Sequence, residues 1–227
     1  MRGYLIPAMP AAMWAVTAFE LLFAAALFYM WRKRKLTCAL WMALVAFGLF
    51  YDALLLSLGA VLEASEAFRS LSLLRYVLHC ALIPLLFPIC ADALGLGKTG
   101  MRIVWIATAA IIAVGIAAGF ATRLETKTVG AVLRYASADA TPAWSSGIQN
   151  GLSYGPILIL ILSGIVVWIR QRRPELFLSG FFMFAFSALG PATGNLDLIF
   201  FISMFGEVLM ALFFWLYAAK RRAVDRS

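Results

Sequence analysis

Five ionisable side chains fall well inside stretches otherwise apolar enough to cross a bilayer, away from the ends where Asp92 and Asp197 lie: Glu20, Asp52, Arg75, His79 and Glu207. A charged group at membrane depth costs at least about 2.5–3.5 kcal/mol, so its presence calls for a purpose. Arg75 and His79 are four apart and share one helix face, and His79 is the only histidine in the chain. Counted from the outer ends of their spans at about 1.5 Å per residue, all five lie in the outer half or at the midplane. Tyr51, Ser153, Tyr154 and Asn150 fall at the same level, and Asn195 and Asp197 mark the outer mouth. Asp92 alone falls near the inner surface, beside Lys98. Small residues share the faces of the acids: Gly48 and Gly59 with Asp52, Ser203 and Ala211 with Glu207, Thr17 and Ala24 with Glu20. Such faces suit close packing inside a bundle rather than contact with lipid.

The expectation is a chamber lined by Glu20, Asp52, Arg75, His79, Glu207, Tyr154 and Asn195. Three carboxyl groups there face one permanent cation, so the site needs a proton or a bound cation to balance. A titratable acid near a histidine suits proton coupling or general acid–base chemistry, with His79, Asp52 and Glu207 as the candidate catalytic groups. One histidine with carboxylates at no ligand spacing is a poor metal signal, so no metal or cofactor is expected. The bland alternative is structural: Arg75 and Glu20 reach for the outer headgroups, or Arg75 and Asp52 form a pair that sets helix register.

The elements that must position these groups follow from composition. The chain is 64% hydrophobic and 13% charged, with a mean hydropathy of +0.93. A soluble domain carries about twice that charged fraction, so the class is an all-α polytopic membrane protein. The net charge of +8 lies in short clusters between apolar runs, which signals topology rather than a nucleic-acid partner. Seven spans are predicted: 13–31, 38–62, 71–94, 103–121, 151–169, 176–190 and 196–219. They make a single seven-helix domain over 1–227, with an extracytoplasmic loop at 122–150. Arg32 to Lys35, Lys98, Arg102, Arg170, Arg172, Arg173, Lys220, Arg221, Arg222 and Arg226 fall on one side. Only Arg2, Arg69, Arg123, Lys127 and Arg134 fall on the other. The bias predicts an N-terminus outside and a C-terminus in the cytoplasm, in a multi-pass protein of the bacterial inner (plasma) membrane. The basic cluster follows the first span instead of preceding it, unlike a signal peptide. TKTVGAVLRY, rich in β-formers around a glycine, predicts a small outer hairpin or else a disordered loop. Spans one and five each end in Trp plus a basic cluster and are followed by two more, a 3+1+3 arrangement with span four as the odd linker.

Several motifs are set aside. GLGKTG resembles a phosphate loop, but the position five before its Gly-Lys is Asp92, not Gly, and no strand precedes it. Cys38, Cys80 and Cys90 lack metal or disulfide spacing and read as small apolar residues. A retinal protein needs a lysine midway through the last span, where this chain has none. The seven-helix hydrolases of the ceramidase and adiponectin-receptor type need several histidines for zinc, and the PQ-loop sugar transporters need a Pro-Gln pair. Pro84, Pro88 and Pro156 break helix hydrogen bonds at membrane depth. Gly115 and Gly119 form a close-packing face, either inside the bundle or between copies in a homo-oligomer. The expected partners are the lipid bilayer and a small solute or lipid, and the leading expectation is a small-solute or proton-coupled transporter. A membrane-embedded enzyme acting on an outer-leaflet lipid, and a sensor or assembly protein without chemistry of its own, are the alternatives.

Overall fold

The computed structural model describes residues 2–129, 132–192 and 196–221, with side chains from residue 9 onward apart from those of 129–131 and 190–200. Eight α-helices and one hairpin follow in order. They are α1 (Arg2–Arg34), α2 (Thr37–Leu58), α3 (Glu66–Leu82), α4 (Leu86–Ala93), α5 (Lys98–Phe120), β1 (Leu124–Val129), β2 (Val132–Ser137), α6 (Ala143–Gln171), α7 (Glu175–Ala192) and α8 (Leu196–Lys220). Helices α3 and α4 form one broken span, so the architecture is the seven-helix, all-α polytopic one. Six spans are long and apolar enough to cross a membrane, and α7 is the shorter apolar seventh.

The helices close into a ring, α1–α2–α3/α4–α6–α7–α8, and α8 returns against α1. Helix α5 packs on α3, α4 and α6 at the edge. At one end the basic clusters interlock. Arg34 donates to Ala219 O, Arg173 donates to Tyr217 O, and Gln171 donates to Ala93 O. Buried Glu175 accepts Lys220 at 2.7 Å. Asp92, expected beside Lys98, is paired with Arg221 instead. Cationic side chains at helix C-termini also complement the helix dipole there.

The opposite end carries the hairpin, paired antiparallel from Leu124↔Ser137 to Val129↔Val132. Of the two expectations for this stretch, the hairpin is the one observed. It is fastened to the bundle: Leu133 N–H donates to Gly59 O at 2.8 Å, Tyr135 Oη–H donates to Ser65 O, and Ser137 N–H donates to Tyr76 Oη at 2.8 Å. A Cβ on Gly59 would stand 2.0 Å from Leu133 O, so only glycine admits the strand.

Two boundaries differ from the sequence-based ones for identifiable reasons. The fifth span starts at Ala143, not Gly151. Pro142 opens the helix, and its first turns bond to the end of α5 through Ser145 to Ala118 O (2.7 Å) and Gln149 to Thr122 (2.9 Å). The loop at 122–150 is correspondingly shorter. The third span starts at Glu66, capped by the Ser65 hydroxyl accepting from Phe68 N–H, and is interrupted by a 3₁₀ turn at Ile83–Leu85. Pro84 has no N–H to give to the Cys80 carbonyl, which breaks the ladder there. Gly115 of α5 packs on that carbonyl, where a Cβ would lie 2.8 Å from Cys80 O. Gly119 lies against Val77 one turn further on. Of the two expectations for the Gly115/Gly119 face, inside the bundle or between copies, the packing on α3 matches the first.

A large apolar cluster around Leu27, Leu86, Phe214 and Tyr217 fills the basic half of the bundle. A small one around Met9, Met13 and Met204 sits toward the hairpin.

Candidate functional site

Asp52 and Arg75 meet across the α2–α3 contact. Arg75 Nη1 lies 2.9 Å from Asp52 Oδ1, a close ion contact whose angles fall outside hydrogen-bond geometry. The Arg75 guanidinium also sits 4.8 Å above the Tyr76 ring, a cation–π contact that favours its charge. Tyr51, expected at this level, turns away and donates to Leu71 O (3.1 Å), tying α2 to α3.

Two cavities adjoin this pair, of about 200 and 180 Å³, and share Asp52, Arg75, His79 and Ser153 as a common wall. The larger lobe reaches α7 and α8 and is lined by Glu207, Tyr154, Ser187 and Ser203 together with apolar Leu49, Ile157, Met183, Phe184 and Met210. The smaller lobe lies toward the hairpin and adds Tyr76, Arg134 and Gln149. Tyr154 and Phe184, both lining the larger lobe, are 56% and 39% exposed, so its α6–α7 wall reaches the outer surface of the bundle.

The sequence-derived set is thus largely brought together. Asp52, Arg75, His79, Glu207 and Tyr154 line one chamber. Glu20 stands behind that wall. It is fully buried, it lies within electrostatic reach of Glu207 and Asp52, and among the described residues neither of its carboxylate oxygens has a hydrogen-bond partner. Glu207 is 8% exposed, and its Oε2 is likewise unpartnered. Asn150 is exposed and lines neither lobe. Asn195 lies outside the described residues. His79 faces both lobes, and among the described residues no hydrogen bond orients its ring. Among the described residues, no three His, Cys, Asp or Glu side chains converge as a metal ion would require.

Arg134 is the residue that sequence reasoning missed. It sits on β2, and the hairpin folds its guanidinium into the bundle, within electrostatic reach of Arg75, Asp52 and Glu207. Burial, and after it the Arg75 charge, push its pKa down to about 10, so it stays protonated at neutral pH. The available signal was one arginine amid the β-formers of VLRYA. Gln149 and Ser187 were also missed, because polar residues without charge do not stand out in a helix.

No family model matches this chain, and no curated protein matches it. The site must therefore be read from its own geometry.

Proposed function

We propose that the protein is a carrier for a small solute, coupled to the protonation of Glu20 and Glu207. The supporting observation is the burial of two carboxyl groups from α1 and α8, with oxygens that find no hydrogen bond, beside a cavity in the bundle. A buried, unsatisfied carboxylate is costly. Taking up a proton, or a partner that arrives with the solute, removes that cost. Such groups exchange their proton when the cavity's contents change, which is the requirement for coupling. Pro84 and Pro156 stand in the walls that would have to move. The orientation that fits the charge bias has the hairpin end outside and the basic end in the cytoplasm of a bacterial plasma membrane.

An enzyme acting on an outer-leaflet lipid is the second reading, favoured by the exposed Tyr154 and Phe184 wall. Against it, among the described residues His79 has no hydrogen bond to orient it as a base, the arrangement that nucleophile and base sites share.

The test is flux in liposomes carrying the purified protein under an imposed pH gradient. Solute movement should follow the gradient, and Glu207→Gln should abolish that dependence while the protein stays folded. Flux indifferent to both would remove the carrier reading.

A further inference from the structure

Glu207 is 8% exposed, and it lines the larger lobe with an Oε2 that has no hydrogen-bond partner among the described residues. Ser153 lines the same lobe, and its hydroxyl donates to Gln149 O at 2.9 Å, which leaves its Oγ to accept. Arg75 is there too, but Asp52 lies 2.9 Å from its guanidinium, which also sits 4.8 Å above the Tyr76 ring. The charge that the lobe leaves without a counter-ion is therefore that of a carboxyl group. Leu49, Ile157 and Met210 make much of the wall apolar, and Tyr154 and Phe184 add aromatic rings, whose faces attract cations.

We propose that the larger lobe binds a small lipophilic amine in its ammonium form, with Glu207 as counter-ion, in exchange for a proton. This names the solute class and the sense of coupling, and it rests on the carrier reading. An ammonium group brings N–H donors and no acceptor, so it satisfies Glu207 Oε2 and Ser153 Oγ, and its hydrogen bonds to a carboxylate are of the strong, charge-assisted kind. The body must be compact, because about 200 Å³ is less than the roughly 300–1,000 Å³ of drug-sized pockets. It must also be apolar, to match the wall. Tyr154 and Phe184 are 56% and 39% exposed between α6 and α7, at the depth of the bilayer, so an amine dissolved in lipid meets the lobe from the side.

The charges around the lobe set the proton count. The acids are Glu20 on α1, Asp52 on α2 and Glu207 on α8, and the permanent cations within their electrostatic reach are Arg75 on α3 and Arg134 on β2. Tyr76, His79 and Cys80 on α3 and Tyr154 on α6 are the other titratable groups at the chamber. Helix α7 lines neither lobe with one. Three carboxyl groups against two guanidinium groups leave one negative charge to be met, and any acceptor that holds Arg134 elsewhere deepens that deficit. In the empty lobe a proton held among Glu20, Glu207 and His79 meets it. An entering ammonium group takes over that task, and the proton leaves to water. The count of one holds whichever of the three groups carried it.

The test is equilibrium binding of benzylamine to the purified full chain, by calorimetry in two buffers of different ionisation enthalpy. Benzylamine should saturate with release of about one proton, and neutral benzyl alcohol should bind roughly tenfold or more weakly. From about pH 6 to 8 the amine itself stays protonated, so its affinity should rise with pH, by up to about tenfold per unit, as the proton it displaces becomes scarcer. Glu207→Gln should lose roughly tenfold or more in affinity together with the proton release, and Glu207→Asp should lose less. Circular dichroism and thermal unfolding report whether each variant is folded. If Glu207→Gln does not fold, the proton release and pH slope of the unaltered protein decide. An affinity indifferent to pH would overturn the proposal. So would equal affinity for benzylamine and benzyl alcohol, tighter binding of benzoate than of benzylamine, or a folded Glu207→Gln that keeps full benzylamine affinity. Benzylamine binding without flux in liposomes would remove the carrier and leave the amine site. Proton-coupled flux of another solute without benzylamine binding would do the reverse.

Discussion

The Arg75–Asp52 contact separates a structural role from a functional one. Their side chains are 8% and 29% exposed, so breaking the pair leaves a nearly desolvated charge behind. Removing one partner of a buried pair costs about 3–5 kcal/mol. The partial exposure of Asp52 places this case near about 3 kcal/mol, a fall of roughly 6–12 °C in Tm for a chain of this length. Asp52→Asn leaves Arg75 within electrostatic reach of Arg134 and without its ion partner. Arg75→Met leaves Asp52 facing Glu207 and Glu20. The double variant Arg75→Met with Asp52→Leu removes both charges and fills the space, and such replacements are often neutral or stabilising by about 1–4 kcal/mol. Its Tm should therefore return to that of the unaltered protein or exceed it, while solute flux is lost. The assay pairs thermal unfolding in detergent, followed by tryptophan fluorescence, with flux in liposomes. A double variant that is stable and fully active would show that the pair only sets register, and the site reading would fail. A single variant that shifts Tm by less than about 2 °C would refute the claim of a desolvated pair.

Other substitutions test other parts of the reasoning. Glu20→Gln and Glu207→Gln each remove a buried carboxyl group that lacks a hydrogen bond, so thermal unfolding should show Tm unchanged or raised, and flux should lose its response to pH. Gly119→Val should cost about 1–3 kcal/mol by overpacking, because a Cβ there would stand 2.8 Å from Val77 Cα. The same melting assay checks it, and an unchanged Tm would mean that α5 can shift freely on α3. Ser65→Ala should cost about 1 kcal/mol through loss of the α3 cap, with faster hydrogen exchange confined to the first turn. Pro84→Ala should restore a donor to the Cys80 carbonyl and slow amide exchange through residues 83–86.

How much of the site was legible follows from what membrane depth does to charge. Glu20, Asp52, Arg75, His79 and Glu207 stood out because an ionisable group in an apolar run is costly wherever the helix points. Counting residues along each span gave their depth, and helices crossing together bring equal depths to one level. The hairpin side was harder to read. TKTVGAVLRY suggested strands, yet nothing in its order tells a free loop from a hairpin anchored to Gly59, Ser65 and Tyr76. Arg134 therefore read as one more outer-loop cation. Asp92 lies at the basic end as its depth suggested, but its partner was not legible: Arg221 reaches it only through the way α8 packs back on α1 and α2.

The chain's own order determined the seven apolar spans, the basic end, the break at Pro84 and the depth of the buried charges. These depend on local composition and on the 1.5 Å rise of a helix, which no neighbour alters. Only the tertiary structure decided that Asp52 pairs with Arg75, that Glu20 stands behind the chamber wall, that Gly115 and Gly119 are spent on α3, and that Arg134 enters the bundle. Those outcomes depend on how each helix turns about its axis and which neighbour it meets. Both are set by close packing among residues far apart in the chain, so they leave no signature in any one stretch of it.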